Sequence, residues 1–158
     1  MNNDQIKTTV VGSYPMIDWL VALPSEQALL DATAVVLKTQ ELAGIDVVAD
    51  GELYRFDIDH PETNGMIDYF IRPLGNLSYD VTRRDMEDFR KQRGMGFRAK
   101  PAGVVLDELD EGTLNLIDDY HRIRSLTDTA LKFTVTGPHM LSKTLLDRHY
   151  GSVEKLAH

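Results

Sequence analysis

The stretch that decides the fold is "KTQELAGIDVVADGELYRFD", Lys38 to Asp57. Its first part closes a helical pattern. Leu29, Ala32, Val36, Thr39 and Ala43 keep near-helical spacing, and Gly44 is a natural C-terminal stop. Ile45-Asp46-Val47-Val48-Ala49 is then a short apolar run, which predicts a buried strand. Asp50-Gly51-Glu52 follows at the C-terminal end of that strand, with Arg55 and Asp57 just beyond. A helix, a tight stop, a buried strand and a charged strand end are the second half of a βαβ unit.

Working outward toward the N-terminus, Ser25 is a reasonable N-cap for this helix. Before it, "TTVVGSYP" (Thr8 to Pro15) predicts a β-branched strand over Thr8–Val11 that ends on Gly-Ser-Tyr-Pro. Strand, helix and strand in this order predict a parallel sheet. Toward the C-terminus the segment from Asp57 to Ser78 mixes Pro, Gly and Asn with aromatics and predicts no single element. Tyr79–Arg93 predicts a polar amphipathic helix ended by Gly94. Arg98–Leu106 predicts a third strand with Pro101 near its start, Thr113–Leu126 a helix, and Phe133–Val135 a fourth strand. Gly137-Pro138 opens a last helix, in which the chain stops.

Alternating strands and helices leave an open doubly wound sheet or a (β/α)8 barrel. No G-x-G-x-x-G follows any strand. The polar groups gather at strand C-terminal ends (Gly12-Ser13, Asp50-Gly51-Glu52, Thr136-Gly137), where barrels build their sites. A complete barrel takes roughly 250 residues. The 158 residues here predict one α/β domain, 1–158, a partial (β/α)8 TIM-type barrel of about the first four βα units with an irregular, partly helical insertion.

Composition narrows the chemistry. Apolar residues make up 42% of the chain, enough for a packed core, and the net charge of −8 argues against a general nucleic-acid binder. With no cysteine, neither a disulfide scaffold nor a thiolate metal site can be built from these residues. The start carries no basic, apolar leader and no segment reaches the ~18 apolar residues of a membrane span, so the expectation is a soluble cytoplasmic protein.

Three stretches can carry chemistry. Around Gly51, Asp50 and Glu52 can aim carboxylates at the strand end, where Glu52 holds an ammonium group or acts as a base. The plainer reading is an Asp-Gly turn followed by an Arg55–Asp57 surface pair. Thr136-Gly137-Pro138, with His139 in the first turn, offers N–H groups to an anion, or is simply a capped connection. Seven basic residues between Arg83 and Lys100 make the one positive island, which either receives an anionic substrate tail or is a solvated helix face. His60, His121, His139, His149 and His158 form no H-x-x-x-H pair, so no metal site is predicted within the chain.

Together, "TTVVGSYP", "KTQELAGIDVVADGELYRFD", "FRAKP" and "TVTGP" resemble, in order and spacing, the catalytic barrel of the cobalamin-independent methionine synthase family. The resemblance runs from Thr8 to the C-terminus and corresponds to the N-terminal half of that barrel. It implies methyl transfer from a methyltetrahydrofolate-type donor to homocysteine or a related thiol, with zinc turning the thiol into a thiolate. By position it implies that Val11, Gly12 and Ser13 grip the amino-acid carboxylate and that Glu52 pairs with the α-ammonium group. Arg98 and Ala99 fall where the family contacts folate. Asp50, Arg55, Asp57, Thr136, Gly137 and His139 fall where they can line the site. Longer members carry a pterin-stacking tryptophan where this chain has Thr144. The family's zinc ligands, a His-x-Cys, a Glu and a later Cys, and its proton-donating His lie in the other half of the barrel. The implied partner is therefore a complementary half or a second copy, and the chain alone is expected to bind no zinc and to be inactive. Two other readings stand beside this one. One is a non-catalytic ligand-binding or structural module of the same barrel superfamily. The other is a decarboxylase-like barrel that uses the basic island.

Overall fold

A computed structural model describes residues 6–61, 65–92 and 98–158. Arg93 and Gly94, predicted to end a helix, lie outside the described residues. In chain order the elements are α1 (Asp18–Ala22), α2 (Glu26–Leu42), β1 (Val47–Ala49), a 3-10 turn (Leu53–Arg55), α3 (Asp68–Ile71), β2 (Leu77–Ser78), α4 (Arg83–Lys91), β3 (Val104–Val105), α5 (Leu116–Arg124), β4 (Ala130–Lys132), α6 (Pro138–Thr144), β5 (Leu146–Asp147) and α7 (Val153–Ala157). The chain divides into two compact units, residues 1–63 with 115–135 and residues 64–114 with 136–158. Each is a mixed α/β unit with one small sheet.

The first unit is organised by α2. Ser25 caps it by accepting from the Ala28 N–H at 3.1 Å, and Glu26 in the first turn suits the helix dipole. Its inner face buries Leu29, Ala32, Thr33, Val36, Leu37 and Gln40. Leu29, Ala32 and Val36 pack with Leu20 and Leu53, and Tyr14, Ile17 and Phe56 close over them. Each larger apolar side chain in this cluster contributes about 1.5–3 kcal/mol by leaving water. The strand after Gly44 lies where the sequence puts it, and it pairs in parallel with β4, Val47 opposite Ala130 and Ala49 opposite Lys132.

The other strand expectations need correction. The predicted strand Thr8–Val11 reduces to one parallel bridge, Thr9 with Val47, and Val11 is 78% exposed. The cause is Gln40. Its side-chain amide accepts from the Ala49 N–H at 2.9 Å and donates to the Ala49 carbonyl at 2.6 Å. Val47 donates to the Thr8 carbonyl, and alternate strand residues face the same edge. The Ala49 N–H and carbonyl that Val10 and Gly12 would need to continue the ladder are therefore already taken. Thr8 fixes the shortened contact through Asp46, whose carboxylate accepts from its N–H at 2.7 Å and its hydroxyl at 2.8 Å. The strand predicted at Phe133–Val135 occurs earlier, at Ala130–Lys132. The Thr134 carbonyl is occupied by Tyr54 and Arg55 instead of by a neighbouring strand.

In the second unit the strand predicted at Arg98–Leu106 contracts to β3, the centre of a three-stranded sheet. It is antiparallel to β2 and parallel to β5. Ile67, Ile71, Val105 and Leu145 form one core cluster, and Phe89, Val104 and Leu146 a second. The helix opened by Gly137-Pro138 does not run to the chain end. It stops at Thr144, where Leu145 turns extended, and β5 and α7 follow. The polar helix forms as α4 with a reciprocal Thr82–Asp85 capping box.

Candidate functional site

The charged strand end after β1 is built on two left-handed residues. Gly51 has φ +72° and Glu52 has φ +66°. Gly51 is required twice over. A Cβ there would lie 2.5 Å from the Tyr14 Cβ, and φ in this region disfavours any side chain. The Tyr14 N–H donates to the Gly51 carbonyl at 2.9 Å, which ties the Gly12-Ser13 segment to the turn. Gly12, at φ +107°, bends the chain before Ser13.

This backbone brings the Glu52 carboxylate among three donors. Ser13 Oγ donates to Oε2 at 2.6 Å, Thr134 Oγ1 to Oε1 at 2.8 Å, and Arg55 Nη1 to Oε2 at 3.2 Å. Burial pushes the Glu52 carboxyl upward, but the Ser13 and Thr134 hydroxyls and the Arg55 charge outweigh it and hold it below its ordinary value. Arg55 is itself held in place. Its Nε donates to the Tyr54 hydroxyl at 2.9 Å and its Nη2 to the Thr134 carbonyl, while Tyr54 donates to that carbonyl at 2.6 Å. Tyr54 stacks on Phe133 with ring centroids 4.4 Å apart, and Tyr120 packs edge-on against Phe133.

Asp50 has a different role from Glu52. It is buried, and its carboxylate accepts from the Glu52 N–H at 3.0 Å and the Tyr54 N–H at 2.7 Å. It closes the loop that leads into the 3-10 turn, and burial raises its carboxyl above the ordinary value. The Asp57 carboxylate accepts from the N–H groups of Asp59 and His60, a local turn. Arg55 forms an ion pair that spacing did not suggest, with Glu52.

The remaining predicted residues belong to the second unit. Arg98 donates to the Lys100 carbonyl, and the Ala99 carbonyl accepts from Arg90. Thr136 Oγ1 donates to the Met66 carbonyl at 2.7 Å, Gly137 is the N-cap of α6, and His139 is exposed. The basic island behaves as a solvated helix face, because Arg83 pairs with Glu87, and Arg84 and Lys91 with Asp88. Thr144 is fully buried, its hydroxyl on the Leu141 carbonyl, so it has no surface on which a ring could stack. Thr134, Tyr54 and Gln40 escaped the sequence reading. Gln40 carried a signal, an amide on the apolar face of a helix, which must find buried partners.

No family model matches the chain. Curated methionine synthases do, among them that of Sulfurisphaera tokodaii at 28% identity and that of Thermococcus kodakarensis at 27%. Each alignment covers 96% of this chain and 44% of the relative. The chain is similar to these methionine synthases over nearly all of its own length. It spans about half the length of the curated methionine synthases it matches, and the resemblance drawn from its four motifs is borne out. The fold agrees. A B12-independent methionine synthase from a Shewanella species, solved in complex with selenomethionine, superposes with a TM-score of 0.65 at 24% identity, over 95% of this chain and 43% of that one. The chain has, among its described residues, no group of three or more His, Asp or Glu side chains that could hold a metal, and it has no cysteine. The donor set present does not fit a thiolate zinc site. No helix among the described residues is long and apolar enough to cross a membrane.

Proposed function

We propose that this chain supplies the amino-acid-holding part of a methionine-synthase-like methyltransferase, acting on homocysteine or a related thiol with a methyl-folate-type donor. One observation carries the reading. The Ser13–Glu52–Thr134–Arg55 cluster keeps a carboxylate ionised at the ends of adjacent parallel segments. A carboxylate accepts at about four positions, and three are taken. The fourth, on Oε1, suits the α-ammonium group of an amino acid. The Ser13 hydroxyl proton is committed to Glu52, so the substrate carboxylate falls to backbone N–H groups of Val11–Ser13, with Gly12 permitting close approach. The selenomethionine complex of the Shewanella protein is in keeping with an amino-acid ligand. By resemblance, Arg98 and Ala99 face the folate donor.

The parallel alignment of Thr9, β1 and β4 supports a partial (β/α)8 barrel, with residues 64–114 as the irregular insertion. Val10, Val11 and Val135 are exposed beside this short array, which favours a covering partner, either the complementary half or a second copy. Zinc chemistry belongs to that complement, and nothing in this chain performs it. A second reading, a ligand-binding module without catalysis, is favoured by the missing thiolate ligands.

Calorimetry with L-methionine and L-homocysteine tests the site. Both are expected to bind without zinc, and N-acetylmethionine, which has no ammonium group, is expected not to compete. Equal binding of the acetylated compound rules out the role of Glu52. Adding the complementary half of a methionine synthase, with its zinc, separates the two readings. Methyl transfer that requires both polypeptides supports the enzyme, and its absence despite a formed complex supports the module.

A further inference from the structure

We propose that Arg55 is a positioning residue that, braced by Tyr54 and the Thr134 carbonyl, fixes the Glu52 carboxylate so that only its Oε1 side is left for a ligand cation. The inference rests on the ammonium-binding reading of Glu52 and adds which residue makes that reading possible. Glu52 alone is a poor anchor. It sits in a left-handed conformation and its side chain is free to rotate about several bonds. Arg55 removes that freedom. Its three nitrogens are used on three different targets, with Nε on the Tyr54 hydroxyl, Nη1 on Glu52 Oε2 and Nη2 on the Thr134 carbonyl. Thr134 completes the circuit, since the residue whose carbonyl holds Arg55 also donates its hydroxyl to Glu52 Oε1.

A guanidinium is suited to this task because its donors form a rigid planar fork and it keeps its charge across the working pH range. A lysine has three donors too, but they share one nitrogen on a flexible stem, so they form no rigid fork. The guanidinium also lies 5.1 Å from the centre of the Tyr54 ring, and the Tyr54–Phe133 stack holds that ring. Among the described residues, the charged and titratable groups around Glu52 include Arg55 and Tyr54 of the 3-10 turn and Asp50 at the end of β1. Ser13 and Thr134 supply neutral hydroxyls. Among the described residues, Arg55 is the charge that favours the ionised carboxylate.

The test follows the Glu52 side-chain carboxyl by carbon-detected NMR across pH 2–8, with and without L-methionine, in the wild type, Arg55→Met, Arg55→Lys and Thr134→Val. Arg55→Met is expected to move the Glu52 titration to higher pH and to weaken methionine binding at pH 7 by about tenfold, the scale of a charge-assisted hydrogen bond. Arg55→Lys is expected to restore the titration but only part of the affinity, because charge returns and the fork does not. Thr134→Val keeps the carbonyl and removes only the hydroxyl, so it reports on the circuit even where Arg55→Met fails to fold. An unchanged Glu52 titration in both Arg55→Met and Thr134→Val overturns the proposal. A wild type that binds no methionine while Arg55→Met still shifts Glu52 upholds the positioning role and overturns the amino-acid reading.

Discussion

Each unit contains an ion-pair cluster, and their contrast shows why one of them is proposed as a site. In the first unit Arg55 meets Glu52 at 3.2 Å. In the second, Arg148 meets Asp85 at 2.9 Å and Asp88 at 2.8 Å. By distance the second is the better bridge. The surroundings differ, however. The Arg55 and Glu52 side chains are 4% and 14% exposed, whereas that of Arg148 is 36% exposed. Arg148 lies between two carboxylates that already serve α4, Asp85 closing the capping box and Asp88 pairing with Lys91. All three groups are used within the unit. Glu52 keeps one acceptor position beyond its donors, at the end of a parallel strand and on a loop held by buried hydrogen bonds. Residual hydrogen-bonding capacity under partial burial, and not the shortest distance, is the ground on which Glu52 is proposed as a binding group.

The largest effect is expected from Gly51→Ala, which places a methyl group 2.5 Å from the Tyr14 Cβ at φ +72°. Left-handed strain and overpacking together should destabilise by about 3 kcal/mol. Urea unfolding reads the loss, and a wild-type midpoint would show that the turn has another way to close. Next is Gln40→Leu, which leaves the buried N–H and C=O of Ala49 without partners, at about 2–4 kcal/mol. Amide exchange at Ala49 should accelerate, and unchanged protection would remove Gln40 as the reason the N-terminal strand stops at Thr9.

Ser13→Ala is expected to leave the exposed Ser13 segment folded and the urea midpoint nearly unchanged. Methionine affinity should fall roughly tenfold as Glu52 loses a donor. A large loss of stability with intact binding would reverse the assignments of site and staple. The smallest effect is expected from Arg148→Met. Asp85 is held at about 2 by the Thr82 hydroxyl and then by Arg148, below its ordinary value of 3.8. Its stabilising contribution is therefore complete above pH 4 and lost as pH falls toward 2. Urea midpoints of wild type and Arg148→Met should differ slightly at pH 6 and converge near pH 2. A constant difference across that range would mean that packing, not charge, holds Arg148.

Much of the first unit was legible because its signals are local. The spacing along Leu29, Ala32 and Val36, the Ser25 cap, the Gly44 stop and the run into Ala49 each depend on a few neighbouring residues. The motif order likewise pointed to the methionine synthases. Less legible was how far each strand extends. Thr8–Val11 has a strand composition, but a buried amide from α2 takes the backbone groups that its second half would need. Phe133–Val135 has one too, but the Thr134 carbonyl goes to Tyr54 and Arg55. Both outcomes depend on partners dozens of residues away.

The same division holds for the site. By itself the sequence determined that Gly51 must turn, that Glu52 follows a buried strand, and that a chain without cysteine builds no thiolate zinc site. Those conclusions rest on backbone sterics, periodicity and composition, which belong to the chain. Only the tertiary structure decided that Arg55 turns to Glu52, that Ser13 and Thr134 share that carboxylate, and that Thr144 is buried beyond use. Hydrogen-bond donors choose among acceptors that the fold brings within reach, and the sequence does not spell out that choice.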